Sequence, residues 1–365
     1  MALARLSGLA LALLVFTARA SGDVLWIGTF TAKGAEGIYS AEFDPASGEI
    51  GKVQLRAGGD DPAFLALHPS KPVLYSIGAN TLSAYDYTAD GKLTLRNVIP
   101  SAGKGPCHIA VDPAGKFLAT ADYWSGRATL YRLEEAGNIA SVLRNIVHKG
   151  KGTHPERQDA PHPQGVYFAD SGSLLVPDLG LDKIYSYRVN DGFVRPAEPP
   201  FTEVRPGDGP RHLALHPDGK HLFAIHELSS QVELFSREGE KLTSLSRLST
   251  LPPDFKGANT AAEIAVHPGS QWVLASNRGH DSIAVFSFAP ASGELALKEI
   301  VPCGVKVPRH FSFSPDGKWL LVAGQESNEI AVMSFDPATG KLAATGKSAA
   351  VPTPTCVLFA PANPK

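Results

Sequence analysis

Cysteine is scarce in this chain of 365 residues, which contains only Cys107, Cys303 and Cys356. Three cysteines are too few, and odd in number, for the disulfide framework that stabilises many small exported domains. At most one bridge can form within the chain. We therefore expect a fold held together by its hydrophobic core, with the thiols free.

Neither sign of charge dominates, because 34 lysine and arginine residues face 36 aspartate and glutamate residues. Nucleic-acid-binding proteins usually carry a basic excess, so no nucleic acid partner is predicted. Two hydrolase signatures are also missing, the Gly-x-Ser-x-Gly elbow and the His-Glu-x-x-His zinc helix. The segment "HELSS" at residues 226–230 lacks the second histidine. An enzyme built on this chain is expected to activate water or position protons rather than use a serine nucleophile.

One phrase, by contrast, is abundant: a hydrophobic strand, a tight polar turn and a second hydrophobic strand, as in "LALHPDGKHLFAIHE" from residue 213. Bulky apolar residues lie two and four positions before the turn, as Leu213 and Leu215 do, and this period of two predicts a strand. Repetition of one such phrase along the chain is typical of repeat architectures. The turn residues recur at seven places: Pro69, Pro113, Asp170, Pro217, Pro268, Pro315 and Pro361.

A second strand-turn-strand phrase accompanies each first one, as in "KIYSYRVNDGFV" and "SIAVFSFAPASGEL". Two phrases make a unit of four antiparallel strands, and seven units packed radially bury each other's faces. We predict an all-β, seven-bladed β-propeller with four antiparallel strands per blade. The last phrase breaks off after "TCVLFAPANPK", and "DVLWIGTFT" from Asp23 continues it. The ring is therefore expected to close by pairing of the N- and C-terminal strands in one blade.

The first twenty residues have the layout of a secretory signal peptide: Arg5, an apolar run from Leu6 to Ala18, and small residues at Ala18 and Ala20. The run is shorter than the ~20 residues that a membrane-spanning helix needs. We expect residues 1–20 to be a removed signal, with an uncleaved anchor as the alternative. Residues 21–365 are then a single propeller domain in the periplasm or secreted, with no stable membrane span.

The repeat also predicts on which face of the disc the polar residues lie. If the first phrase is the innermost hairpin of a blade, the start of its first strand and the end of its second lie on one face of the disc, opposite the turn. The strand starts place His108, His212, Glu263 and His310 there, with Arg211 and Arg309 beside them; the strand ends add Glu227 and Arg278.

Two interpretations of the innermost positions stay open. Buried charges are usually paired, so His212, Glu263 and His310 on three adjacent blades suit a structural network. They equally suit substrate binding, together with His108 and Arg309. No compact His/Asp/Glu spacing recurs within one strand, so no metal site and no cofactor are predicted.

The longest interval between turns contains the polar loop "VHKGKGTHPERQDAPHPQG" from Val147. Long polar loops inside compact domains are often functional. This loop enters the same face, so we expect His162 to overhang the channel and Arg157 to contribute to substrate binding. Either side chain is also compatible with a solvated loop.

Several segments resemble, in order, the lactonase family of seven-bladed propellers, which contains bacterial 6-phosphogluconolactonases and a fungal muconate lactonizing enzyme. They include "GPCHIAVDPAGKFLATADY", "GPRHLALHPDGKHLFAIHEL", "SNRGHDSIAVF" and "PRHFSFSPDGKWLLVAGQ". The resemblance implies catalytic roles for His162 in "APHPQG", Arg211 in "GPRH", Glu227 in "HEL" and Arg278 in "SNRG". Two positions depart from the family pattern, Gln164 where a histidine is usual and His226 where an asparagine is usual.

This resemblance implies an exported lactonase that hydrolyses a sugar-acid lactone, 6-phosphogluconolactone or a related aldonolactone, by metal-independent attack of water. Arg211 and Arg278 would hold the anionic group or the developing oxyanion. Glu227 or His162 would take the proton from water. Two alternatives remain, a muconate-type cycloisomerase and a non-catalytic propeller that binds a ligand or protein. The sequence leaves the oligomeric state open.

The signal assignment predicts a mature chain that begins at Ser21. Small residues at Ala18 and Ala20 satisfy the signal peptidase site, so cleavage is expected after Ala20. Intact-mass spectrometry of protein isolated from its own host measures this directly. A soluble cytoplasmic form that retains Met1 would contradict export.

Overall fold

The computed structural model describes residues 22–170 and 172–360. Within them the chain forms seven antiparallel sheets and three short 3-10 helices: Thr31–Lys33, Tyr123–Ser125 and Leu179–Leu181. The expected signal peptide and the last turn residue, Pro361, lie outside the described residues.

We number the sheets as blades 1 to 7. Blade 1 contains β1 (Asp23–Thr29), β2 (Gly37–Asp44), β3 (Glu49–Ile50), β4 (Gln54–Gly58) and the last strand, β29 (Pro354–Phe359). Blade 2 contains β5 (Leu65–Leu67), β6 (Val73–Ile77), β7 (Thr81–Tyr87) and β8 (Leu93–Pro100). Blade 3 contains β9 (Pro106–Val111), β10 (Phe117–Asp122), β11 (Arg127–Leu133) and β12 (Ile139–Val147).

Blade 4 contains β13 (Tyr167–Asp170), β14 (Ser173–Asp178), β15 (Lys183–Asn190) and β16 (Phe193–Glu203). Blade 5 contains β17 (Pro210–Leu215), β18 (His221–His226), β19 (Gln231–Glu238) and β20 (Lys241–Ser249). Blade 6 contains β21 (Thr260–Val266), β22 (Trp272–Arg278), β23 (Ser282–Ala289) and β24 (Glu294–Pro302). Blade 7 contains β25 (Pro308–Phe313), β26 (Trp319–Gly324), β27 (Glu329–Asp336) and β28 (Lys341–Ala350).

The ring closes in blade 1, where β29 pairs with β1 in the order β29-β1-β2-β3. The register places Leu25 opposite Phe359 and Ile27 opposite Val357. The predicted all-β propeller and its closure by the two terminal strands are thus confirmed. Blade 1 differs from the simple four-strand pattern in one detail, because its outer position is shared by the short strands β3 and β4, both paired with β2.

Both faces of the inner strand β18 are buried, because apolar residues stand at successive positions along it. In β18, Phe223 and Ile225 pack toward blade 6, while Leu222 and Ala224 pack toward blade 4. The described residues contain seven such hydrophobic clusters, one at each boundary between neighbouring blades. The ring is therefore held by apolar burial at every boundary.

The inner hairpin turns tie neighbouring blades together at one face of the ring. In blade 5, His216 Nδ1 accepts a hydrogen bond from the Asp218 N–H at 3.2 Å, and its Nε2–H donates to the Ser270 carbonyl oxygen of blade 6 at 2.9 Å. His267 repeats this pattern, donating to the Gly317 carbonyl oxygen of blade 7 at 2.9 Å. Gly317 has a φ of +72°, as the sequence predicts for a tight Asp-Gly turn.

The closure of the ring in blade 1 predicts how a buried charge in β1 affects the stability of the protein. Ile27 is fully buried in the cluster between blades 1 and 7. We expect Ile27→Asp to lower the free energy of unfolding by about 4 kcal/mol or more, because an unpaired buried carboxylate disrupts this boundary. Thermal and urea unfolding of the variant measure the loss.

Leu95→Asp is the matched control for this substitution. Leu95 is 55% exposed on the outer strand β8, so a charge there remains solvated. If Ile27→Asp unfolds at the same urea concentration as Leu95→Asp, the boundary between blades 1 and 7 does not carry the stability assigned to it.

Candidate functional site

A cavity of about 600 Å³ opens on the face opposite the hairpin turns. The register explains its position: Pro210 at the start of β17 pairs with His226 at the end of β18, so strand starts and ends meet at one level. The cavity is lined by residues from several blades: Phe30, Asp61, Ala63, Gly78, Ala79, Gly105, Pro106, Cys107, Tyr123, Trp124, Arg157, Gln164, Glu227, Arg278 and Arg309.

The carboxylate of Glu227 is the centre of the charged part of the wall. Its Oε2 lies 3.2 Å from Arg211 Nε and 3.1 Å from Arg278 Nη2, and its Oε1 lies 2.5 Å from Arg157 Nη2. The backbone of Glu227 is held on both sides, because its N–H donates to the Gly209 carbonyl at 2.8 Å and its carbonyl accepts from the Ala261 N–H at 3.1 Å. One fixed carboxylate thus organises three guanidinium groups.

The ionisation of Glu227 follows from these neighbours. Burial by itself raises the pKa of the carboxyl group, since it removes the charged form from water. The charges of Arg278, Arg211 and Arg157 outweigh burial and hold the pKa of Glu227 at about 2. Glu227 is therefore ionised at neutral pH.

Arg211 and Arg278 are also anchored to the start of β21. Arg211 Nη1 donates to the Ala262 carbonyl oxygen at 2.6 Å, and Arg278 Nη2 donates to the Ala261 carbonyl oxygen at 3.1 Å. Arg211 is only 4% exposed and is not among the residues that line the cavity. The structure thus places Arg278 in the wall and Arg211 behind Glu227.

Arg157 reaches the wall from the long loop between blades 3 and 4. The loop has little regular structure, and the buried side chain of Gln158 bonds its backbone instead. Gln158 Oε1 accepts from the N–H groups of Thr153 and His154 at 3.0 and 2.9 Å, and its Nε2 donates to the Leu179 carbonyl oxygen at 2.8 Å. Arg157 is thereby presented by a fixed turn, and it lines the cavity on the face that the sequence predicts for this loop.

Arg309 lines the cavity without a counter-charge. Its guanidinium carbon lies 5.1 Å from the centre of the Phe30 ring, and no carboxylate of the described residues is within ion-pair distance of it. Burial, followed by repulsion from Arg211 and Arg278, lowers the pKa of Arg309 to about 9. The cavity therefore has a surplus of positive charge, which favours an anionic ligand group.

His162 does not line the cavity. Its ring stacks on Tyr123 with centroids 4.3 Å apart, its Nδ1–H donates to the Tyr123 carbonyl oxygen at 3.1 Å, and its Nε2 faces Asp159 Oδ1 at 3.2 Å. Both ring nitrogens are thus engaged, and the side chain supports Tyr123 from behind.

The four polar residues that open the inner strands converge below the cavity. His108 and His212 rings, from blades 3 and 5, have centroids 5.1 Å apart, and Glu263 Oε2 lies 3.0 Å from His212 Nδ1 and 3.4 Å from His310 Nε2. Rings from blades that are not neighbours can meet only near the axis. Phe64 completes the cluster by contacting the rings of His108 and His310.

Burial dominates the titration of this axial cluster. It lowers the pKa values of His108 and His212 well below the ordinary range and raises the pKa of Glu263. Uncharged forms are therefore favoured beneath the cavity. His108, His212, Glu263 and His310 are not among the lining residues, whereas Arg157 and Arg309 are.

Two groups of side chains in the described part of the chain bring possible metal ligands together, and neither lines the cavity. Asp208, His226 and Glu233 form one buried group, but Arg247 already pairs with both of its carboxylates. His216, Asp218 and His221 form the other, in the hairpin turn of blade 5.

The aromatic part of the wall was not predicted from the sequence. Tyr123 and Trp124 lie in the 3-10 helix that follows β10, at the same level as Glu227 in its own blade. The available signal was their position directly after Asp122, a strand end on this face. Cys107 also lines the cavity, and burial raises the pKa of its thiol to about 12.

Comparisons with known proteins agree with the fold. A family model described as "Lactonase, 7-bladed beta-propeller" matches residues 24–359. The chain is 35% identical over 343 residues to the 6-phosphogluconolactonase of Bacillus subtilis (strain 168), covering 92% of this chain and 97% of that protein. The structure of Pseudomonas aeruginosa periplasmic gluconolactonase matches with a TM-score of 0.89 at 28% identity, covering 93% of this chain and 99% of that one.

A protein from Lactobacillus plantarum is similar to a comparable degree. Its structure matches with a TM-score of 0.87 at 29% identity, covering 93% of this chain and 99% of that chain.

The arrangement around Glu227 predicts a large effect of Glu227→Gln on stability. The variant leaves three arginines without their common counter-charge, so the free energy of unfolding at pH 7 should fall by about 3–5 kcal/mol. The folded pKa of about 2 lies below that of an unfolded glutamate. The contribution of the ionised Glu227 to the free energy of unfolding is thus present above pH ~4.3 and is lost as the pH falls toward 2. Urea unfolding at several pH values measures both the loss of stability at pH 7 and its dependence on pH.

Glu203→Gln serves as the control, because Glu203 is 70% exposed in its pair with Lys183. Exposed pairs contribute about 0–1 kcal/mol. A Glu227→Gln variant as stable as Glu203→Gln at pH 7 would show that the arginines do not depend on this carboxylate.

Proposed function

Because the chain belongs to the lactonase family of seven-bladed β-propellers, a family of lactone-hydrolysing enzymes, we propose that it opens a sugar-acid lactone by attack of water outside the cytoplasm. The substrate is 6-phosphogluconolactone or a related aldonolactone. The observation that carries this proposal is the cavity wall in which Glu227 and Arg278 lie side by side.

Water is the nucleophile in this proposal. The lining residues include no serine or threonine, and the one thiol among them, Cys107, stays protonated because its pKa is raised to about 12. The water oxygen attacks the lactone carbonyl carbon, and the carbonyl oxygen takes up negative charge. The carbonyl then re-forms as the ring C–O bond breaks, and the ring oxygen takes up the proton that the attacking water gave to Glu227, so that the product is a hydroxy acid.

Arg278 stabilises the oxyanion that forms in this attack. Guanidinium donors fixed where charge develops lower the barrier because they need little reorganisation during the reaction. Arg278 is fixed by Glu227 and by the Ala261 carbonyl, and it lines the cavity. Arg309, which has no carboxylate partner among the described residues, binds the phosphate of a phosphorylated substrate or the carboxylate of the product.

Glu227 orients the attacking water and receives its proton. It is ionised at neutral pH, although a pKa of about 2 makes it a weak base. Arg211 acts through Glu227, because it contacts the carboxylate from behind the wall. His162 acts through Tyr123, whose backbone and ring it holds. Both are positioning residues in this scheme.

Export is part of the proposal and is supported by two observations. The first twenty residues have the layout of a signal peptide. One similar structure is that of a periplasmic gluconolactonase. Among the described residues, no helix has the length and apolar character to cross a membrane.

The test is turnover of a lactone panel by the mature protein. We expect glucono-1,5-lactone or its 6-phosphate to be hydrolysed faster than in buffer, measured by acid release, with the same rate after treatment with a chelator. Arg278→Lys keeps the charge but not the planar fork, so kcat should fall by about one hundredfold.

Arg195→Lys, an exposed substitution on β16, is the matched control and should retain the wild-type rate. No acceleration of any lactone in the panel would contradict the function. Cyclisation of a muconate without lactone hydrolysis would identify the cycloisomerase instead. A fully active Arg278→Lys enzyme would remove this arginine from the mechanism.

A further inference from the structure

Trp124 is exposed beside the cavity, unlike the other tryptophans of the chain. Its side chain is 73% exposed and lines the cavity. Trp26, Trp272 and Trp319 all pack into clusters between blades. A large aromatic ring left open at the rim of a pocket needs an explanation, because exposed apolar surface of this kind usually marks a binding site.

Although exposed, Trp124 is held in place. The 3-10 helix Tyr123–Ser125 is tied to the preceding loop by two hydrogen bonds, from the Tyr123 N–H to the Gly105 carbonyl at 2.9 Å and from the Trp124 N–H to the Lys104 carbonyl at 3.2 Å. The indole packs so closely on Gly105, which has a φ of +63°, that any Cβ there would clash with Trp124 Cδ1. A side chain at position 105 would therefore displace the indole.

The rings on the other side complete the support. Tyr123 meets Trp124 edge to face with centroids 4.7 Å apart, and His162 does so at 6.0 Å. A fixed aromatic face loses little conformational entropy when a ligand covers it. Trp124 is thus a preorganised binding surface that the protein itself leaves uncovered.

The neighbours of Trp124 relate it to the reacting groups. Tyr123 contacts Trp124 on one side and interacts with Arg157 on the other, and Arg157 pairs with Glu227. These four side chains form a row along the wall, with the reacting carboxylate at one end and the indole at the other. A ligand whose lactone ring lies at Glu227 must extend past Arg157 to reach Trp124.

We propose, on the basis of the function proposed above, that the substrate is the lactone of a disaccharide acid and that Trp124 binds its second sugar ring. The cavity of about 600 Å³ lies in the size range of pockets for drug-sized ligands, more than one sugar lactone fills. The C–H face of a pyranose packs on an aromatic ring, while its hydroxyl groups remain available to polar neighbours such as Arg157.

The experiment compares cellobiono-1,5-lactone with glucono-1,5-lactone. We expect the wild-type enzyme to have the higher kcat/KM for the disaccharide lactone, by about tenfold, which a single aromatic stacking contact supplies. Trp124→Ala should reduce kcat/KM for the disaccharide lactone about tenfold more than for the monosaccharide lactone, mainly through KM. Trp124→Phe should restore most of the difference.

Phe193→Ala is the control, because Phe193 is 81% exposed on β16 and is not among the cavity-lining residues. It should leave the ratio of the two kcat/KM values unchanged. Equal losses on both substrates in Trp124→Ala, or no wild-type preference for the disaccharide lactone, would overturn the inference while leaving the lactonase proposal intact.

Binding of the stable acid cellobionate gives a readout that does not require turnover. Bound cellobionate should shield the exposed Trp124 from fluorescence quenching by acrylamide more strongly than gluconate does. If no lactone is hydrolysed but this shielding is seen, the proposed function fails and the sugar-binding role of Trp124 stands. If gluconate and cellobionate shield equally, the second-ring assignment fails.

Discussion

The antiparallel pairing of β1 with β29 is the interaction on which the rest of the molecule depends, because it turns a row of sheets into a closed ring. In an open row, the two end sheets would each expose a hydrophobic face and an unpaired edge. Closure also builds part of the site. Phe30 directly follows β1, whereas Arg309 lies at the start of β25, and they come together across the boundary that the seam completes.

The electrostatics of the cavity follow from the excess of guanidinium groups over carboxylates around Glu227. Glu227 pairs with three guanidinium groups at once, so it stays ionised despite nearly complete burial. Just below, the axial cluster of His108, His212, Glu263 and His310 has the opposite tendency, since burial favours its uncharged forms. The wall that faces solvent and ligand therefore holds an ionised carboxylate among guanidinium groups.

Much of the architecture could be predicted from the sequence because it depends on local patterns. The alternation in β18 fixes which residues face each neighbouring blade, and the broken phrase at the two termini predicts the seam. The repeat also assigns Glu227 and Arg278 to one face, since Arg278 is the last residue of β22 and Glu227 directly follows β18.

The repeat does not predict how close each side chain lies to the axis of the ring. Arg211 and His212 are adjacent in β17, yet one contacts Glu227 and the other the axial cluster. The repeat predicts the position of a residue along the axis of the ring. Its distance from that axis depends on contacts with other blades. Trp124 was not predicted for a related reason, because its position beside the cavity involves contacts with Lys104 and Gly105, which the strand pattern does not encode.

The histidine hydrogen bonds of the hairpin turns have a mechanical consequence for the opposite face. His216 and His267 fix the spacing of blades 5, 6 and 7 at the turn side, through bonds of 2.9 Å to the next blade. These three blades supply Glu227, Arg278 and Arg309 at the other side. A rotation of one of these blades about its turn would therefore change the distances between Glu227, Arg278 and Arg309 at the opposite face.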